Sequence, residues 1–271
     1  MSRIAEKFLE LKQKAQTAFI PYITAGDPDL DATEKLLVTC AENGADIIEL
    51  GIPFSDPTAD GPTIQAASDR ALKNYFTLDN LFEMLASVQK SISIPIVLFS
   101  YYNPIFIYSE ERFISLAQEA GADGVLVVDL PPEEGESLRG HANKAGLDAI
   151  YLVAPTSTDN RIELAARASS GFIYYVSVTG VTGARETLSR TISRDVARIR
   201  KHTDLPIAVG FGISSPGQAE AVAWIADGVV VGSAIVKAIA EHGNSSDLQK
   251  EVGRFVNTLS RAVHQVKKSG T

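Results

Sequence analysis

The chain carries a single cysteine, Cys40, in 271 residues, which rules out a fold stapled by internal disulfides. No spacing of cysteine and histidine resembles a zinc site, and no histidine stands near Cys40 in the pattern, so the thiol reads as a packed helix residue. Basic residues are outnumbered, 25 Lys and Arg against 33 Asp and Glu, for a formal charge of −8. That balance argues against nucleic acid or an anionic membrane as a partner. It leaves room for a phosphorylated substrate held by backbone amides. No apolar run reaches the ~18 residues of a spanning helix. The start lacks a signal peptide's apolar core, and the helical stripe Ile4, Phe8, Leu11, Ala15 begins almost at once. A soluble, cytoplasmic protein is expected.

What the chain does have is a repeating unit. Runs rich in β-branched residues predict strands at 18–24, 46–50, 95–100, 124–129, 148–154, 171–178, 206–211 and 227–231. They are continuously apolar, as parallel strands buried on both faces are. Helical stripes lie between them, among them Leu36, Leu37, Cys40, Ala41 and Phe113, Ile114, Ala117, and Leu248 to Val263 forms a strong last one. Gly44-Ala45-Asp46, Gly121-Ala122-Asp123 and Gly146-Leu147-Asp148 each close a helix and open a strand. Eight such units predict one (β/α)8 barrel over 1–271 with an extra N-terminal helix. An open doubly wound sheet is the alternative. It is weakened by Thr24-Ala25-Gly26-Asp27-Pro28 standing where a G-x-G-x-x-G turn belongs.

The most informative segment runs from Glu49 to Pro62. Glu49 lies at the end of an apolar strand, where a charge is costly unless something needs it. Asp60 follows in a loop stiffened by Pro53, Pro57 and Pro62. Two carboxylates in such different surroundings should titrate apart, which supplies one site with an acid and a base. Asp60 also has a plainer reading, as a residue that helps start the next helix. Tyr174, within the sixth strand, either presents its hydroxyl to the barrel mouth or packs. Asp27 reads as a turn aspartate, and Asp129, which ends the fourth strand before Pro131-Pro132, as a turn or interface residue or else a catalytic one. Phe99, Leu126 and Val128 at strand ends would line a slot for a flat apolar group or simply fill the core.

The late strands run into glycine turns: Gly180-Val181-Thr182-Gly183, Gly210-Phe211-Gly212-Ile213-Ser214-Ser215 and Gly232-Ser233. Together they predict a phosphate site after strands 7 and 8, although Ser215 before Pro216 also reads as a helix cap. Arg185 reads as an exposed arginine in a loop over 180–194. No lysine falls in or directly after a predicted strand, so a Schiff-base aldolase is not indicated. His141, His202, His242 and His264 lie in helices or at their ends, away from the strand exits where metal ligands would gather. Proton transfer by carboxylates remains.

Glu49-Leu50-Gly51-Ile52-Pro53-Phe54-Ser55-Asp56-Pro57 with Ala59-Asp60-Gly61-Pro62 closely resembles the signature of the tryptophan synthase alpha subunit family. Pro21-Tyr22-Ile23-Thr24-Ala25-Gly26-Asp27-Pro28, Gly180-Val181-Thr182-Gly183 and Gly210-Phe211-Gly212-Ile213-Ser214 extend the resemblance in order along the chain. It implies a barrel lyase that cleaves indole-3-glycerol phosphate to indole and glyceraldehyde 3-phosphate. Glu49 would be the general acid/base and Asp60 the partner of the indole N–H. Tyr174 and Thr182 would assist positioning, with Thr182 on a loop that closes over substrate, and Phe211 would grip the indole. Gly183, Gly212, Gly232 and Ser233 would hold the phosphate through backbone amides. The resemblance also implies no cofactor in this chain, and a pyridoxal-phosphate-dependent beta subunit as partner in an α2β2 heterotetramer. Pro53, Asp56 and the loops around Asn103-Pro104 and Pro131-Pro132 would form the contact. Thr58 departs from the leucine usual there, which bears on coupling to the partner. Another metal-free phosphosugar lyase or isomerase, and a barrel that only activates a partner, are the competing readings.

Overall fold

The structure, a computed structural model, describes residues 1–177, 185–210, 212–243 and 245–267, with backbone alone for 185–189. In chain order the elements begin α1 (Arg3–Gln13), β1 (Ala18–Thr24), α2 (Leu30–Glu42), β2 (Ile48–Gly51), α3 (Pro62–Leu72), α4 (Leu78–Val88) and β3 (Ile96–Ser100). They continue with α5 (Tyr102–Tyr108), α6 (Glu110–Glu119), β4 (Gly124–Val127), α7 (Glu136–Ala145), β5 (Asp148–Ile150), β6 (Leu152–Val153) and α8 (Asp159–Ala168). Last come β7 (Ile173–Val176), α9 (Arg185–Ile199), β8 (Ile207–Gly210), α10 (Pro216–Ala223), β9 (Gly228–Val231), α11 (Ser233–His242) and α12 (Leu248–His264).

All strands pair in parallel, in the order β5-β4-β3-β2-β1-β9-β8-β7-β6. The two ends of that ladder are neighbours in sequence, separated by Tyr151 alone, so the sheet closes on itself. This corrects the unbroken strand predicted at 148–154. Its first half pairs with β4 and its second half with β7, and between them the Tyr151 N–H turns to the Ser169 hydroxyl. Counting β5 and β6 as one, the architecture is the eight-stranded (β/α)8 barrel. The predicted sixth, seventh and eighth strands are β7, β8 and β9.

Alternation sorts side chains to two cores. Outward residues such as Ile48, Leu50, Leu98, Val125 and Val209 pack under the helices. Inward ones, Ile20, Ile47, Val97, Leu126, Ile150, Tyr174 and Ala208 among them, fill the barrel. The N-terminal helix α1 plugs the barrel floor: Ile4, Phe8 and Leu11 join the inward cluster, and the Phe8 and Phe172 rings meet at 5.6 Å. Glycines Gly44, Gly121 and Gly146 close their helices in the left-handed region, at φ of +94°, +89° and +77°. The aspartate two residues later stands just before the next strand (Asp46, Asp123) or opens it (Asp148). With the floor plugged, the open end is the one onto which the strand C-termini run, and there the loops from β1, β2, β3, β8 and β9 converge.

Candidate active site

Glu49 is the second residue of β2 and not its last, which corrects the predicted strand end: the strand runs on through Gly51. Its parity matches Ile47, so the side chain points into the barrel between the outward Ile48 and Leu50. In register it stands opposite Tyr22 on β1 and Val97 on β3. The residue is fully buried, and among the described residues neither carboxyl oxygen has a hydrogen-bond partner. Burial pushes its pKa up to about 8. A neutral carboxylic acid near neutral pH is the result, with a proton to give.

Asp60 lies half-buried on the loop between β2 and α3. Burial raises its pKa to about 6, opposed by a hydrogen bond from the Tyr101 hydroxyl to Oδ2 at 3.1 Å. Near pH 7 it is the ionised member of the pair. The plainer reading of Asp60, a starter for α3, fits less well: the cap residue there is Gly61 and Pro62 follows, with no side-chain cap.

Two tyrosines lean over glycines at the same level. A Cβ on Gly51 would sit 2.0 Å from the Tyr22 hydroxyl, and one on Gly210 would sit 2.2 Å from the Tyr174 hydroxyl. Only glycine leaves room for either phenol. Burial, then the charges of Glu49, Tyr22 and Asp60, raise the Tyr174 pKa; burial, with Asp60 and Glu49 among the charges, does the same at Tyr22. Both phenols stay protonated beside the two carboxyls. Around them Phe99, Val128, Leu152 and Val176 form a half-buried apolar collar, and Tyr22 meets Phe99 edge-on at 5.4 Å. Leu126 sits below the collar, fully buried.

At the phosphate end the two late helices differ. The α10 N-terminus is closed by a capping box between Ser215 and Gln218, and Gln218 Oε1 also accepts the N–H groups of Ser214 and Ser215. Ser215 is therefore a cap. The α11 N-terminus follows Gly232, which offers no side-chain cap, and Ser233 is its exposed first residue. Open first-turn amides there suit an anion. Gly212, on the connection from β8 to α10, turns at φ +75°. Thr182, Gly183 and Phe211 lie outside the described residues. The expected loop over 180–194 is corrected in part: α9 begins at Arg185, so 185–194 are helical.

Other predicted residues settle elsewhere. Asp27 is more than a turn residue: buried, it takes both ends of the Arg70 guanidinium at 2.8 and 2.7 Å and ties α3 to the β1 exit. Asp129 accepts the N–H of Tyr102 at 2.7 Å and fixes the start of α5. Cys40 is buried in α2, its thiol pushed up to about 12 by burial. Among the described residues no group of three or more His, Cys, Asp or Glu is arranged to hold a metal, and no helix is long and apolar enough to cross a membrane. Sequence reading passed over Tyr22 and Tyr101. Tyr22 was signalled by its place in the strand before the Thr24–Gly26 turn, and Tyr101 by following β3 directly.

A family model described as tryptophan synthase alpha chain matches residues 8–266. The tryptophan synthase alpha chain of Geotalea uraniireducens is 53% identical over 266 residues, covering 98% of this chain and 99% of the relative. That of Geobacter sulfurreducens is 54% identical over 263 residues, covering 97% and 99%. Among solved structures, tryptophan synthase subunit alpha from Legionella pneumophila superposes with a TM-score of 0.91 at 37% identity, covering 98% of this chain and 100% of that one. A tryptophan synthase from M. tuberculosis in its aminoacrylate-bound form gives 0.87 at 31% identity, covering 97% and 100%. The inward acid, its ionised companion, the closed barrel and these likenesses agree, and the chain belongs to the tryptophan synthase alpha chain family.

Proposed function

We propose that Glu49 and Asp60 divide the acid–base work of the family's lyase reaction, the retro-aldol cleavage of indole-3-glycerol phosphate to indole and glyceraldehyde 3-phosphate. The observation that carries this reading is the pair of unlike carboxyls, one buried and pushed to about 8, the other held at about 6. Glu49 gives its proton to C3 of the indole, which places a positive charge on the ring. The Asp60 carboxylate accepts the indole N–H and stabilises that charge. The Glu49 carboxylate then takes the proton of the side-chain hydroxyl as the carbon–carbon bond breaks. The proton lost at the first step is regained at the last, so the site ends as it began.

The apolar collar of Phe99, Val128, Leu152 and Val176 supports binding of the flat ring, with Tyr174 packed alongside. Gly183, Gly212, Gly232 and Ser233 would bind the phosphate by backbone amides, while Phe211 would grip the indole and Thr182 would assist positioning. Neutral amides suit a chain of formal charge −8, which lacks an excess of cations for the task. The chain works as one domain over 1–271, needs no cofactor of its own, and acts in the cytoplasm.

Its partner is a tryptophan synthase beta subunit, which carries the pyridoxal phosphate, in an α2β2 assembly. Pro53, Asp56, Asn103-Pro104 and Pro131-Pro132 would meet it, beside α5, whose Phe106 and Ile107 are 64% and 76% exposed. Two large apolar side chains side by side on one short helix are costly to leave in water. Indole release from indole-3-glycerol phosphate, with and without a beta subunit, tests the reading. Absence of release in both conditions overturns it.

A further inference from the structure

Tyr101 joins two parts of the molecule that the proposed function needs together. Its hydroxyl donates to Asp60 Oδ2 at 3.1 Å and accepts the N–H of Ala59 at 2.9 Å. Both hydrogen-bonding capacities of the phenol are thus spent on the loop that carries Asp60. The ring is 3% exposed and packs on Phe54, the other flank of that loop, with centroids 5.1 Å apart. A phenol donating to a carboxylate makes a charge-assisted bond, stronger than a neutral one.

The other end of Tyr101 belongs to a different element. Its backbone, extended at φ −90° and ψ 160°, is the residue from which α5 starts. The Ser100 hydroxyl donates to its carbonyl at 2.8 Å, and Asp129 holds the next N–H, that of Tyr102, at 2.7 Å. The start of α5 is therefore pinned on both sides. Five residues on, the same helix presents Phe106 and Ile107 to solvent. A displacement of α5 has one short covalent path to the phenol, and from there one hydrogen bond to Asp60.

We propose that Tyr101 is a positioning residue that holds the Asp60 carboxylate for the indole N–H and transmits docking at α5 to it. This rests on the proposed function, since it presumes that Asp60 serves the reaction and that a beta subunit covers α5. Asp60 sits on a loop between Pro57 and Pro62, so its backbone is stiff while its carboxyl is free to rotate. The Tyr101 hydroxyl removes that rotation.

The test is Tyr101→Phe, which deletes one oxygen and keeps the ring on Phe54. In the assembled complex kcat should fall about tenfold to a hundredfold with KM changed by less than about threefold, and stimulation by the beta subunit should shrink in proportion. The acid limb of the kcat profile should move to higher pH, because the donor that favours the ionised carboxylate is gone. Replacing Tyr101 by a ring-fluorinated tyrosine, a more acidic phenol and stronger donor, should move that limb to lower pH with the fold untouched. Carboxyl 13C NMR of Asp60 should show the same two opposite displacements without any turnover. Parent-like kcat and beta stimulation in Tyr101→Phe, or an acid limb unmoved in both variants, overturns the proposal. If the parent complex releases no indole while the NMR midpoints move as stated, the lyase reading falls and the Tyr101–Asp60 bond stands.

Discussion

The floor and the mouth of this barrel use the carboxyl group in opposite ways. At the floor, Asp46 accepts the Phe19 N–H at 2.8 Å and meets His264 Nε2 at 2.7 Å. Asp123 accepts the Ile96 N–H at 2.9 Å and both reachable oxygens take Arg3 at 3.0 Å. Asp227 accepts the Ile207 N–H at 2.9 Å and an Arg200 nitrogen at 2.7 Å. Each of these aspartates binds an amide in the first two residues of a neighbouring strand and then a basic group in a helix or directly after one. At the mouth, Glu49 is more deeply buried than any of them and has neither kind of partner among the described residues. Buried polar groups are satisfied where structure is their task. On the proposed function, the acid left unsatisfied is the one whose proton must leave.

The largest effect should come from Glu49. Glu49→Gln keeps the shape and removes the proton, so turnover should drop by at least about a hundredfold while substrate binding stays within a few-fold, measured by single-turnover indole release. Stability should move the other way. In the unfolded chain the carboxyl ionises near 4.5, in the barrel near 8. Between those values the native protein holds a proton the unfolded chain has lost, so the parent loses stability as pH rises across the window. At about 1.4 kcal/mol per unit, the cost approaches roughly 5 kcal/mol above pH 8. Glu49→Leu should therefore denature at higher urea than the parent at pH 8, with the gap closing toward pH 4.5. A gap that stays constant with pH would contradict the contrast between mouth and floor.

Next in size is Asp60. Asp60→Asn should lower kcat about a hundredfold, since a neutral amide opposes the ring's positive charge weakly. In the parent, kcat should fall below about pH 6 as Asp60 takes a proton and above about pH 8 as Glu49 loses its own. A profile flat from pH 5 to 9 breaks the assignment of the two roles.

Much of this was legible in advance, and what was not has physical reasons. The eight strands and the N-terminal helix followed from apolar runs and helix stripes, because burial on both faces leaves a strand no other composition; that the helix plugs the floor did not. That same double burial hid which way Glu49 points: with both faces apolar, parity leaves no trace in the sequence. The break at Tyr151 was equally hidden, since it reflects a change of partner strand, from β4 to β7, and not a change of residue type. The glycine of each Gly-Ala-Asp repeat announced a helix end. The aspartate's bond to a distant strand amide did not show, nor did the pairing of Asp46 with His264 across 218 residues. Tyr101 reaches Asp60 across 41 residues and no short motif contains both.

Floor substitutions should affect stability without touching chemistry. Asp46→Ala strands the Phe19 amide in a buried strand and deprives His264 of its acceptor, an expected loss of about 2–4 kcal/mol by urea denaturation. In the folded fraction kcat should match the parent. A fall in kcat at matched folding would mean that the floor and mouth are not separable.

The smallest predicted effect refines the comparison further. Arg3 donates to both Asp123 carboxyl oxygens at 3.0 Å and to the Ser93 carbonyl at 2.7 Å, yet its side chain is 41% exposed. Exposure lets water compete for the guanidinium, so Arg3→Ala should cost only ~1 kcal/mol. Asp123 keeps its bond to the Ile96 amide in that variant, so the strand end stays paired. If Arg3→Ala instead costs as much as Asp46→Ala, the helix-borne cation and not the strand amide is what each floor aspartate serves. The repeated aspartate would then be an anchor for α1 and α12 first and a strand cap second.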